Sequence, residues 1–259
     1  MSRLISTLGQ ALEDAGRVLM SHYGRLEKIE KKGDIDLVTA ADRASEDCIK
    51  SVILRDYPDH AILAEEGGEI PGSEYQWVID PLDGTTNFAH GFPLFSISIA
   101  VLLNGQPVAA GVLNPYYAEC FLAEQGCGAT LNGKPIHVSE NCLLSESLIV
   151  SGFPYDRRER IDHYLAGWKT MLQRAQGVLR LGSAALDLCS VACGRLDAFW
   201  EEKLKSWDTA AGWLIVQEAG GRVTDFRNQP FAAGGPHILA SNGLIHDECI
   251  ETLAVLELT

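Results

Sequence analysis

The apolar run Gln76-Trp77-Val78-Ile79 stops at an acid and a proline, continuing as Asp80-Pro81-Leu82-Asp83-Gly84-Thr85-Thr86-Asn87-Phe88. No other segment restricts the fold as much. Four β-rich, mostly apolar residues read as a buried strand, and Pro81 holds Asp80 extended where that strand ends. Asp83 follows about one turn of chain later, so the Asp80 and Asp83 carboxylates and the Leu82 carbonyl can converge on one point. Three hard oxygen donors suit an octahedral cation such as Mg²⁺, with waters completing its shell. Gly84, Thr85 and Thr86 add small side chains, backbone amides and hydroxyls, and a helix starting there would point its N-terminus at a phosphate. A plainer reading competes, because Asp-Gly-Thr also makes an Asx-turn leading into a capped helix. The longer pattern Asp-Pro-x-Asp-Gly-Thr arises by chance in a chain of this length on the order of once in 10⁴.

The flanking segments alternate between helical and strand patterns. Leu4, Leu8, Ala11, Leu12, Ala15, Val18 and Leu19 predict an amphipathic helix over 4–19. A second helix is predicted over 42–55 through Ala44, Cys48, Ile49, Val52 and Ile53, stopped by Tyr57-Pro58. Ala61–Ala64 reads as a short buried strand delivering Glu65-Glu66. Two β-rich runs between Ser96 and Asn114 hinge at Asn104-Gly105, and Asn132-Gly133 marks a second hairpin. Past Leu148-Ile149-Val150, helices are predicted over 157–174 and 184–193, the latter stopped by Gly194. Strands follow over 198–200, 222–226 and 238–240, with Asp208 as the cap of a helix ending at Gly220-Gly221 and a closing helix from about Leu244. The pattern is α+β, a compact sandwich with a soft boundary near 145 between an N-terminal half (1–145) and a C-terminal half (146–259).

Charge and cysteine usage narrow the function. The 259 residues carry 21 Lys and Arg against 35 Asp and Glu, a formal charge of −14, with mean hydropathy near zero. Such a surface repels phosphate backbones and anionic lipid, so neither nucleic acid nor membrane is expected as a partner. No apolar run approaches the roughly 18 residues that span a bilayer, and the N-terminus does not read as a signal peptide. Seven cysteines without a Cys-x-x-Cys pair fit thiols of a reducing cytoplasm rather than a disulfide scaffold or zinc site. Gly128–Lys134 matches the spacing of a nucleotide phosphate loop, but Pro135 stands where a magnesium-binding Ser or Thr belongs, so a hairpin is expected. No His-Glu-x-x-His pair occurs, and Ser183 lies outside any Gly-x-Ser-x-Gly elbow.

Together with Glu65-Glu66 upstream and Trp207-Asp208-Thr209-Ala210-Ala211-Gly212 downstream, the acidic segment resembles the inositol monophosphatase family of magnesium-dependent, lithium-sensitive phosphatases. The resemblance runs from Lys32-Gly33 through Asp36-Leu37-Val38-Thr39 and Asp42 to Glu218-Ala219-Gly220-Gly221. It implies the layered αβαβα sandwich of the inositol monophosphatase and fructose bisphosphatase type. It further implies two or three Mg²⁺ ions held by Glu65, Asp80, the Leu82 carbonyl, Asp83 and Asp208, with Glu65, Thr85 and Asp42 orienting and deprotonating the attacking water. The substrate contacts it implies are Asp83, Gly84, Thr85 and Thr86 at the phosphate, and Gly182, Ser183, Ala184 and Glu201 at the alcohol. Glu66 is expected to position its loop. Phe153-Pro154-Tyr155-Asp156-Arg157 is expected to line the pocket mouth, and Arg180 to serve structurally rather than as an anion anchor. Relatives that cleave nucleotides or histidinol phosphate tend to carry Lys or Arg where this chain has Thr86. The expected activity is therefore hydrolysis of inositol monophosphate by a cytoplasmic homodimer. Fructose bisphosphate or histidinol phosphate is the alternative substrate, and a protein-interaction scaffold with a structural metal site is the non-enzymatic alternative.

Overall fold

The computed structural model describes residues 2–25, 29–31 and 37–256. Helix α1 (Arg3–His22) starts where the Ser2 hydroxyl accepts the Ile5 N–H, and it buries Ile5, Leu8, Ala11, Leu12, Ala15 and Leu19. After the short antiparallel pair β1 (Ile29–Lys31) and β2 (Leu37–Thr39), helix α2 (Ala40–Asp56) packs against α1. Then come β3 (Ala61–Ala64), β4 (Gly68–Ile70), β5 (Tyr75–Asp83) and the short helix α3 (Thr85–Ala89). A run of antiparallel strands follows: β6 (Ser96–Leu103), β7 (Gln106–Asn114), β8 (Glu119–Glu124), β9 (Ala129–Leu131) and β10 (Lys134–Pro135). These form an eight-stranded sheet ordered β10-β9-β8-β7-β6-β5-β3-β4, in which only β3 and β5 run parallel. The segment resembling a phosphate loop is the β9–β10 hairpin, turned by Asn132 and Gly133 at φ 50° and 75°.

The second sheet takes its strands from the rest of the chain. Its elements are β11 (Leu148–Ser151), α4 (Ile161–Arg174), β12 (Gly177–Leu179), α5 (Ala184–Ala192), β13 (Ala198–Glu202), α6 (Ser206–Glu218), β14 (Arg222–Thr224), β15 (His237–Ser241) and α7 (His246–Leu253). The strand order is β12-β11-β13-β15-β14. Among the boundaries that differ from those predicted, three have a local cause. Helix α4 begins at Ile161 rather than 157, because residues 155–158 form a separate 3₁₀ turn after Pro154. Strand β14 ends at Thr224 rather than 226, since the Asp225 carboxylate accepts the Arg227 and Gln229 N–H groups and turns the chain. Helix α7 starts at His246 rather than 244, because the Asn242 side chain first accepts the Leu244 and Ile245 N–H groups.

Side-chain alternation stacks these elements into five layers. On β5, Trp77 and Ile79 enter the core beneath α1 and α2, while Val78 enters the opposite one. Ile97, Ile99 and Val101 on β6 alternate in the same way with Ala100 and Leu102. On β13, Phe199 joins the core that contains Val78, whereas Ala198 and Trp200 face the core containing Met171 of α4 and Cys249 of α7. Helices α5 and α6 fill the space between the two sheets. The order is therefore α1/α2, first sheet, α5/α6, second sheet, α4/α7, the αβαβα arrangement expected. All seven cysteines are free thiols. Among the described residues no helix is long and apolar enough to cross a membrane.

One buried histidine fixes a pH response. His246 is fully buried, with Nδ1 2.8 Å from the Ser241 hydroxyl and Nε2 2.9 Å from the Thr224 hydroxyl. Burial, reinforced by Arg222, lowers its pKa to about 4. The unfolded chain thus takes up this proton first, and the histidine's contribution is complete above pH 6.5 and falls away towards pH 4. Linkage puts the loss at about 3 kcal/mol. Urea unfolding of the wild type and His246→Gln at pH 7 and pH 4.5 checks this. The wild type should lose more stability than the variant on acidification, and equal losses would remove His246 as the cause.

Candidate active site

The acidic site is built on a bulge. In the β5–β6 ladder Asp80 pairs with Ser98 and Asp83 pairs with Ser96, so three steps along β5 match two along β6. Simple alternation would send Asp80 and Asp83 to opposite faces of the sheet. The extra residue restores the parity and turns both towards the α5/α6 layer. Pro81, which has no N–H for the ladder, sits in this irregularity, and the Ser45 hydroxyl of α2 holds its carbonyl at 2.9 Å. The predicted strand 76–79 therefore runs on to Asp83. An Asx-turn forms at Asp80, where the Leu82 N–H donates to Oδ1 at 3.0 Å, but not at the Asp83-Gly84-Thr85 step expected to make one: Gly84 caps α3 without a side-chain bond, and the Asp83 carboxylate is engaged by α5 instead.

Asp83 is held chiefly through one oxygen. Its Oδ2 accepts the Ser183 hydroxyl at 2.6 Å, the Ala185 N–H at 2.8 Å and the Ser96 hydroxyl at 3.5 Å. Ser183 is also the N-cap of α5, so the same hydroxyl ties the second half of the chain to the bulge. Gly84 follows at φ 87°, where a Cβ would press on the Leu94 and Gly182 carbonyls. Helix α3 then begins, and Asn87 donates to the Leu94 carbonyl at 2.6 Å and the Leu181 carbonyl at 2.8 Å. The phosphate-type loop 84–86 and the loop 181–183 are thereby locked together.

The remaining predicted groups come from three other elements. Asp208 is not the cap of its helix. It is the third residue of α6, and its Oδ2 accepts the Lys205 N–H at 2.6 Å. The Ser98 hydroxyl holds the Trp207 carbonyl at 3.2 Å, which brings this helix start to the strand opposite Asp80. Asp42 is buried behind Thr85, whose hydroxyl lies 3.4 Å from Asp42 Oδ1 and 3.0 Å from the Leu82 carbonyl. Glu65 directly follows β3, with its N–H on the Ile79 carbonyl. The next residue, Glu66, donates its N–H to Glu46 Oε2 at 2.8 Å, and Glu46 is buried and paired with Lys50. Glu46 was not legible as a site residue, although its spacing of four from Lys50 on one helix face was a signal.

Glu65, Asp80, Leu82, Asp83, Gly84, Thr85, Thr86, Gly182, Ser183, Ala184, Glu201 and Asp208 line one cavity of about 650 Å³, as do residues 153–157. Asp42 reaches it through Thr85. Arg180, expected to be structural, stands on the same wall. Glu201 arrives by parity: it shares the strand face of Phe199 and so points into the middle layer. A Cβ at Gly152 would overlap the Glu201 carboxylate, so Gly152 is a positioning residue that no local pattern announces. Gly152→Ala should raise KM for a polyol phosphate about tenfold with a smaller change in kcat, measured by initial rates beside a thermal melt. A parallel fall in kcat and Tm would indicate a packing role instead. Asp187 is a further lining residue absent from the prediction. It is an acid inside the otherwise small and apolar stretch Ala184–Cys189, which was the available signal.

Burial raises the pKa of Asp80, and the Glu65, Asp83 and Asp208 carboxylates raise it further. Asp208 is raised by burial and by Asp83, and Asp83 by burial against the opposing bonds from Ser183 and Ala185. Glu201 is pushed up to about 8 by burial and Asp208, with Arg180 opposing. Among the described residues no lysine or arginine forms an ion pair with Asp80, Asp83 or Asp208. Crowded carboxylates without an ion-paired protein cation and with only oxygen donors fit hard divalent cations. Among the described residues no three His, Cys, Asp or Glu side chains are gathered around a single point. The Leu82 carbonyl and solvent would complete the shell of such ions.

The model of the inositol monophosphatase family matches residues 1–256. An inositol-1-monophosphatase of Synechocystis is 46% identical over 248 residues, covering 95% of this chain and 86% of that protein. The Nus factor SuhB of Pseudomonas aeruginosa is 43% identical over 250 residues, covering 93% of this chain and 92% of that one. The solved inositol monophosphatase from Anabaena superposes with a TM-score of 0.90 at 43% identity, covering 98% of this chain and 96% of the other. Matched along nearly its whole length, the chain belongs to the inositol monophosphatase family.

Proposed function

We propose that the chain is a Mg²⁺-dependent phosphomonoesterase that hydrolyses inositol monophosphate to inositol and phosphate by in-line attack of water, without a covalent enzyme intermediate. The observation that carries this reading is the β5 bulge, which turns Asp80 and Asp83 to one face beside Asp208 and directly before the Gly84-Thr85 loop. Glu65, Asp80, the Leu82 carbonyl, Asp83 and Asp208 would hold two or three ions. When bound, Mg²⁺ supplies positive charge against the phosphoryl and leaving-group oxygens and makes water more acidic. Glu65 orients the water. The Thr85 hydroxyl takes up its proton while passing its own to Asp42, the partner already beside it. Backbone N–H groups of residues 84–86 hold the phosphate oxygens, and Glu201 accepts hydroxyls of the departing alcohol.

The proposal extends to a cytoplasmic homodimer inhibited by lithium. Light scattering tests the dimer, and a monomeric mass at micromolar concentration would refute it. Phosphate release from inositol 1-phosphate, fructose bisphosphate, histidinol phosphate and adenosine bisphosphate tests the substrate. Inositol 1-phosphate should be preferred, and a better rate on another ester would keep the chemistry and replace the substrate. The similarity to a Nus factor supports a second reading, a protein-binding scaffold. Absence of release from every ester would put that reading first.

A further inference from the structure

Asp187 is an ionisable group on the cavity wall that neither the metal set nor the phosphate loop uses. It lies in the first turn of α5 and is 1% exposed. Its Oδ1 has no hydrogen-bond partner. A buried acceptor left without a donor costs stability, so such groups call for an explanation. The position supplies one. The α5 start is fixed by Ser183, which bonds Asp83, and the first turn of the helix brings Asp187 to the cavity wall that Glu201 also lines. The Glu201 carboxyl likewise has no protein hydrogen-bond donor among the described residues. Arg180, on the same wall, makes no hydrogen bond or ion pair among the described residues, and its charge acts on both carboxyls. Two buried acceptors and one cationic donor around the same space form the complement of a polyol, whose hydroxyls each both donate and accept.

We propose that Asp187 is a second acceptor for the alcohol portion of the substrate, engaging a hydroxyl next to the one held by Glu201 and so selecting phosphate esters of polyhydroxylated alcohols over simple ones. This rests on the phosphatase reading above and adds the group that recognises the alcohol. Asp187 does not touch the reacting phosphate, so its contribution belongs to substrate affinity and to selection among alcohols. A site built to bond a hydroxyl discriminates strongly once that partner is lost, because its buried polar groups are then unpaired.

The test measures kcat and KM of the wild type, Asp187→Ala and Asp187→Asn on inositol 1-phosphate and on p-nitrophenyl phosphate, whose leaving group has no further hydroxyls. Thermal melts of the metal-loaded proteins accompany the kinetics. The alanine variant should lose at least tenfold more kcat/KM on inositol 1-phosphate than on p-nitrophenyl phosphate, mainly through KM. The asparagine variant, which keeps an acceptor and adds a donor, should recover part of that loss. Tm should stay level or rise in both, because an unpartnered buried carboxyl has been removed. Equal losses on the two esters, or no change in their ratio, would overturn the proposal. If the alanine variant does not fold, the ratio measured with the asparagine variant decides. A wild type with no preference for inositol 1-phosphate or any other polyol phosphate would instead refute the underlying functional reading, and this inference with it.

Discussion

Replacing Asp83 with asparagine is expected to lower kcat/KM by about 10³-fold or more while leaving the melting temperature nearly unchanged. The separation of the two effects follows from the asymmetry of its contacts. The Ser183, Ala185 and Ser96 donors all converge on Oδ2. An asparagine that places its carbonyl oxygen there keeps these three bonds and the tie between β5 and α5. What it loses is the negative charge and the second oxygen, which becomes an NH₂ group unable to ligate a cation. Burial already disfavours the ionised form of Asp83 in the metal-free chain, so its neutral replacement adds no strain of its own. Phosphate release and a thermal melt on the same preparation check both halves. Activity within tenfold of wild type would contradict the role given to this carboxylate.

Glu46→Ala is expected to be damaging in a different way. Its side chain is 4% exposed, Lys50 is 16% exposed, and the two are ion-paired. Removing one partner of a buried pair leaves the other charge uncompensated, a loss of about 3–5 kcal/mol. The same substitution removes the acceptor of the Glu66 N–H, a contact that ties the segment carrying Glu65 to α2. A Cβ on Gly67, next to Glu66, would overlap the Lys50 ammonium and the Glu46 carboxylate, so the loop lies directly against this pair. Urea unfolding should therefore register the loss together with a fall in kcat of more than tenfold. Adding Lys50→Met to the alanine variant removes the orphaned charge and should recover part of the stability but little of the activity. Full recovery of activity in the double variant would show that Glu46 does not position the Glu65 loop.

The layers were legible because each rests on a local period. Leu8, Leu12, Ala15 and Leu19 repeat at helical spacing, and Trp77, Val78 and Ile79 have the length and branching of a strand covered on both faces. The acids at the end of β5 were legible because Pro81 and Gly84 punctuate them. The bulge itself was not, since a one-residue irregularity exists only relative to the partner strand, and Ser96 and Ser98 give no hint of which acid each will face. The same limit applies to Asp208. Its sequence context suggests a cap, but the cap position went to Lys205 and the carboxylate folds back from the third residue of the helix. Gly152 is a glycine because of Glu201, forty-nine positions away and on the neighbouring parallel strand, a relation with no local trace. Segment 32–36, which carried part of the family resemblance, lies outside the described residues.

The most direct test of the account is phosphate release from inositol 1-phosphate by one preparation, assayed with Mg²⁺, then with EDTA, then with Mg²⁺ restored in excess. The carboxylate set of Glu65, Asp80, Asp83 and Asp208 leads to release that is present, abolished and recovered in turn, with Asp83→Asn silent throughout. Release that continues undiminished in EDTA, or that survives in Asp83→Asn, would contradict it.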